Sequence, residues 1–281
     1  LSGVARLLWG RGWYGRRVHA LPQLAVCLRD HGLVVPEALG AVANHQDDRH
    51  QEWRFAQGES RFAALYHYKG RQFAMGSAQH YRWHEWGYQE TVLHLRLGQK
   101  PEAAVWINHP GEAIQFGYGR PSYWGGCGTL PRVQQYRGLA VLDFTTHDEQ
   151  PEFTHAWFPM AAFEESRVEG DLALARSGQG ALLLRGSTPL ERVATGPSAG
   201  AELRQHGRRT RWLVRVCEAP SLDAVAARFA GLTVREASDG AFLVEDPEYG
   251  MVRFRTDGAA EAEGRLIEPA HFTVRGEAVM L

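Results

Sequence analysis

Apolar and polar positions along the chain follow two periods. Leu21, Leu24, Ala25 and Leu28 recur at three- and four-residue spacing and predict a helix that Gly32 ends. From about Glu59 the period becomes two. Residues 61–68 and 72–79 alternate on either side of Lys69-Gly70-Arg71, a hairpin loop with its glycine. Further short strands are predicted over residues 91–97, 103–108, 139–145, 153–158, 181–184 and 211–217, then 232–236, 241–245 and 251–255. A helix interrupts them: Ser221 is placed to cap it, Leu222, Val225, Ala226 and Phe229 share a face, and Gly231 ends it. So many short strands divided by turn residues predict a mainly β chain, a layered antiparallel β-sandwich. The shift of period divides it into a helical segment, 1–43, and a β domain, 44–281.

Composition narrows the function classes. With 281 residues, 44% of them hydrophobic, the chain can bury a core without a disulfide or a metal. Lys and Arg number 31 against 32 Asp and Glu, so no bulk field recruits nucleic acid or an anionic membrane surface. No apolar run approaches the roughly 20 residues of a membrane-spanning helix. Cys27, Cys127 and Cys217 are odd in number and far apart, and form neither a disulfide framework nor a CxxC pair. Cys127, in a glycine-rich stretch, is either a reactive thiol or a small buried filler. No strand-helix alternation points to a Rossmann fold or a TIM barrel, and no Walker loop, GxSxG elbow or HExxH occurs.

Candidate chemistry gathers in one segment. Residues 108–136 read NHPGEAIQFGYGRPSYWGGCGTLPRVQQY, where strand patterning gives way to crowded polar, aromatic and glycine residues. A long irregular stretch rich in aromatics fits a binding or catalytic loop. His109 sits at a strand end before Pro110-Gly111, and Arg120, Tyr123 and Trp124 follow. These four are expected to share one solvent-accessible cleft.

The segments SAQHYRWHEWGYQE (77–90), WINHPGE (106–112), GRPSYWGGCGTLPRVQQY (119–136) and FTHAWFP (153–159) resemble the C-terminal β domain of heparinase II/III-like proteins. The likeness covers residues 60–217 and is closest to a little-characterised branch of that family. It implies a sandwich of the supersandwich type, preceded by an (α/α) toroid of which residues 1–43 are the last helical piece. The start at Leu1, with no leader pattern after it, then reads as the C-terminal part of a longer chain. The resemblance also implies a polysaccharide lyase acting on uronic-acid glycans, secreted or periplasmic, with the substrate in the cleft between toroid and sandwich. Its partners are an acidic polysaccharide and the missing helical domain.

Elimination from a uronate needs its carboxylate neutralised, a base for the C5 proton and an acid for the departing O4. Asn108, His109, Arg120 and Tyr123 supply those residue types and are the catalytic candidates; Trp124, Tyr118 and His155 are the substrate-binding ones. Each also has a plain structural reading. His109 can hydrogen-bond the loop, Asn108 can make a turn, Arg120 can stack on Tyr118, and His155 can be a satisfied core histidine. His80, His84 and His94 form no tetrahedral set, so no cofactor is expected, although some of the proteins resembled hold a structural zinc. Arg208-Arg209-Thr210-Arg211 is a solvated edge or an anionic-glycan contact. A non-catalytic carbohydrate-binding or domain-packing sandwich, and a glycoside hydrolase on the same architecture, are the alternatives to the lyase.

Overall fold

The computed structural model describes residues 51–57, 63–79, 81–87, 90–98, 100–110, 123–148 and 150–269. The expected helix at 21–32, the 1–43 segment and the loop holding Tyr118 and Arg120 lie outside the described residues. Over the described residues the chain is mainly β, in three antiparallel sheets stacked as layers. The first sheet runs β1 (Gln51–Gln57), β2 (Ala63–Lys69), β3 (Phe73–Gln79), β4 (Leu93–Leu97), β5 (Ala104–Asn108), β8 (Phe153–Trp157), β13 (Glu202–His206) and β12 (Glu191–Arg192). The second runs β6 (Arg132–Tyr136), β7 (Leu139–Thr145), β14 (Arg209–Glu218), β11 (Gly180–Gly186), β10 (Leu172–Ser177) and β9 (Glu165–Glu169). The third is β15 (Thr233–Glu236), β16 (Phe242–Asp246), β17 (Gly250–Phe254), β18 (Ala260–Ala262) and β19 (Arg265–Ile267).

The strand patterns explain the layering. β2 and β4 alternate strictly, sending Tyr66, Tyr68, Leu93, Leu95 and Leu97 into the core between the first two sheets. β7, β11 and β14 carry apolar residues on both faces, as a middle layer must. Leu142, Phe144, Leu182, Leu184, Trp212 and Val214 face the first sheet; Leu139, Val141, Leu183 and Leu213 face the third. Helix α1 (Leu222–Arg228) adds Leu222 and Val225 to that second core, and its cap is the expected one: the Ala224 amide donates to Ser221 Oγ at 3.1 Å. Arg215 lies fully buried between the second and third sheets. It donates to Asp246 at 2.8 Å and to Glu248, and stacks between Phe229 and Tyr249.

β6 corrects the expectation of one irregular stretch from 108 to 136. Its sequence, RVQQY, carries polar residues at three of five positions, yet every position is buried. Arg132 donates to the carbonyls of Gly240 and Phe254, Gln134 to that of Arg255, and the Gln135 amide donates to the Gln79 side chain. Partners drawn from two other sheets make a polar strand stable at depth.

Candidate functional site

The core occupies the inner face of the first sheet and leaves the outer face to other residues. On β5, β8 and β13 alternation turns Trp106 and Asn108, then Phe153, His155 and Trp157, then Glu202, Arg204 and His206 to that outer side. Strand register aligns them in rows: Trp106–Trp157–Glu202, Asn108–His155–Arg204–Glu191, and Phe153–His206.

Tyr123 and Trp124 lie across these rows. Trp124 stacks on His155 at 3.9 Å with 10° between planes, meets Trp106 and Trp157 edge-on, and donates to Ser198 Oγ at 3.0 Å. Asn108, fully buried, anchors it by donating from Nδ2 to the Trp124 carbonyl at 3.3 Å, while its Oδ1 accepts from the Cys127 thiol. The Tyr123 ring stands edge-on to His155, and its hydroxyl donates to Glu202 Oε1. The same carboxylate oxygen accepts from Arg204 Nε at 2.7 Å and faces His155 Nδ1 at 3.2 Å. Arg204 Nη2 reaches the Tyr123 hydroxyl at 2.7 Å and so closes a ring of three side chains, with His155 attached at Glu202.

Protonation states follow from this ring. Burial alone would raise the Glu202 carboxyl, but donation by His155, Tyr123 and Arg204 outweighs it and holds the group down at about 2. Burial, reinforced by Glu202, pushes the Tyr123 phenol up to about 12, so it keeps its proton. Burial likewise lowers His155, against the pull of Glu202, and leaves the imidazole neutral. An ionised carboxylate only accepts, so His155 Nδ1 carries the hydrogen. Its Nε2 has no hydrogen-bond partner of good geometry. Tyr123 is 37% exposed and Arg204 partly exposed, whereas Glu202 and His155 lie beneath them.

His109 does not reach this surface. It is fully buried; Nε2 donates to the Pro151 carbonyl at 2.9 Å and Nδ1 accepts from the Thr129 amide at 3.0 Å. Burial lowers it to about 4 and keeps it neutral. Both nitrogens are used in pinning the 128–129 backbone to 151, so the expected solvent-facing position is corrected to an interior one. Tyr123, Trp124, Asn108 and His155 are brought together, and Tyr118 and Arg120 lie outside the described residues. Cys127 is buried, and desolvation pushes its thiol up to about 12, which makes it a filler rather than a nucleophile. The 208–211 basic run is met by acids: Arg208 by Asp148 and Glu152, Arg209 and Arg211 by Asp143 and Glu236.

Sequence reasoning missed Glu202, Arg204, Trp106 and Trp157. The signal for the first two was the ELRQH alternation of 202–206, which puts Glu, Arg and His on one side. Among the described residues no three His, Cys, Asp or Glu are placed to hold a metal ion, and no helix is long and apolar enough to cross a membrane. No family model, curated protein or solved structure matches the chain.

Proposed function

We propose that this β domain is one wall of a polysaccharide lyase cleft, acting on uronic-acid glycans by β-elimination. The observation that carries the reading is the Tyr123 hydroxyl, held between the Glu202 carboxylate and the Arg204 guanidinium on an exposed aromatic face. The resemblance of 77–90, 106–112, 119–136 and 153–159 to heparinase II/III-like proteins supports it.

Two of the three chemical requirements are met on this face. Arg204 is a fixed cation, partly exposed, that pairs with the substrate carboxylate and so acidifies the C5 proton. Tyr123 keeps its proton at neutral pH and serves as the acid for O4. The oxygen being expelled is a stronger base than a phenolate, so even a tyrosine raised to about 12 transfers its proton downhill. Arg204, 2.7 Å away, then stabilises the phenolate. Trp124 is the scaffold of this wall: its ring is engaged by His155, Trp106 and Trp157.

The test is absorbance of unsaturated uronate ends, with the native full-length polypeptide on a panel of uronate glycans. Tyr123→Phe is expected to slow its appearance by roughly a hundredfold or more. Reducing ends released without that absorbance would identify a hydrolase. Glycan bound with neither product would leave the second reading, a non-catalytic sugar-binding face.

A further inference from the structure

Resting on the lyase reading, we infer that His206, oriented by Glu191, is the base that takes the C5 proton. The observation is positional. Glu202, Arg204 and His206 occupy alternate positions of β13 and therefore share the outer face. Arg204 is the neutraliser, with Tyr123 on one side of it and His206 on the other. Alternate residues of a strand lie roughly 7 Å apart, about the span of one sugar ring. The links across this strip are short: Arg204 Nη2 to the Tyr123 hydroxyl at 2.7 Å, the Arg204 guanidinium over the Phe153 ring at 4.7 Å, and Phe153 to the His206 ring at 6.0 Å. An acid, a carboxylate partner and an imidazole thus lie in line on one solvent-facing strip.

His206 differs from the other histidines of this face in access. Its side chain is 59% exposed, whereas His155 is fully buried. Its Nε2 hydrogen-bonds Glu191 Oε2 on the neighbouring strand β12. A carboxylate only accepts, so the hydrogen sits on Nε2 and Nδ1 carries the lone pair of the neutral ring. Glu191 therefore fixes the tautomer that leaves Nδ1 free to accept a proton. The nearest other groups on this face are Arg204, two positions back on its own strand, and Phe153 opposite it on β8, with ring centroids 6.0 Å apart.

The step balances without a co-reactant. His206 Nδ1 takes the C5 proton, and the C5–H electron pair becomes the C4=C5 double bond. The C4–O4 bond breaks, and O4 leaves with its electron pair and takes the Tyr123 proton. The imidazolium proton returns through solvent to the phenolate, and both side chains are restored.

The experiment compares His206→Ala, Glu191→Gln and Tyr123→Phe with wild type in the native full-length polypeptide, reading glycan affinity and unsaturated-uronate absorbance separately. His206→Ala is expected to lower kcat by about a hundredfold or more with KM and affinity nearly unchanged, and added imidazole to restore part of the rate. Glu191→Gln, which weakens the hydrogen bond that orients the ring, should lower kcat with glycan affinity nearly unchanged. Wild-type kcat in His206→Ala alongside a crippled Tyr123→Phe would overturn the His206 assignment and leave the lyase reading standing. A wild type that binds glycan but yields no unsaturated ends overturns both.

Discussion

Glu202 gives the sharpest test of the site's electrostatics, because one buried carboxylate oxygen serves three donors. Replacing Glu202 with Gln keeps the shape and an acceptor oxygen but removes the charge. The folded group titrates at about 2 against an ordinary 4.5, and each pH unit is worth about 1.4 kcal/mol, so ionised Glu202 contributes about 3 kcal/mol at neutral pH. The sign follows from the depression: the contribution is complete above the unfolded value and is lost as pH falls from about 5 towards 2. Urea unfolding of Glu202→Gln is therefore expected to show a loss of about 3 kcal/mol at pH 7, because Arg204 and Tyr123 face a neutral amide. The gap between variant and wild type should narrow by about 2 kcal/mol on going to pH 3. Taking the difference at each pH cancels the titrating groups that Glu202 does not touch. A gap below about 1 kcal/mol at pH 7, or one unchanged between pH 7 and pH 3, would refute the reasoning.

His109→Ala strips the Thr129 amide and the Pro151 carbonyl of their shared partner and opens a cavity, so it is expected to cost about 3 kcal/mol or more in urea unfolding. A loss under about 1 kcal/mol would return His109 to the surface role first expected of it. Gly180→Ala would set a Cβ 1.9 Å from the Gln72 carbonyl oxygen, where β11 meets the residue just before β3 of the first sheet, and a loss of about 3 kcal/mol is expected; an unchanged urea midpoint would contradict the close approach.

What the sequence made legible was whatever depends on neighbours along the chain. The two-residue alternation of 63–69 and 93–97 marked strands because one face of each is core. Ser221 and Gly231 bracketed α1 because capping is local. β6 escaped detection because its Arg132 and Gln134 side chains donate to carbonyls more than 100 residues away. Within the site, Tyr123, Trp124, Asn108 and His155 stood out by residue type. Glu202 and Arg204 did not, since nothing local says that β13 pairs with β8 across 44 intervening residues. His109 was misplaced for a related reason. A strand-end histidine looks exposed until the 128–129 and 150–151 backbones close over it.

The placement of the site follows from which faces the fold leaves uncommitted. The middle sheet is covered on both sides, and its buried polar groups, such as Arg132 and Arg215, are turned to neighbouring sheets and not to solvent. The first sheet commits only its inner side to the core, and on its outer side it buries Asn108, His155 and Glu202 at positions where an apolar residue would serve stability as well. Buried polar groups of this kind are costly unless each partner is supplied. Here nearly all are: the amide holds Trp124 in place, and the carboxylate gathers Tyr123, Arg204 and His155 into a single arrangement. His155 Nε2 is left as the unmatched acceptor within that cluster. A face that uses buried charge to fix the direction of one exposed hydroxyl and one partly exposed guanidinium departs from what folding alone requires. That departure is the physical reason to seek the function on the Tyr123–Arg204 face and not at the buried histidine beside it.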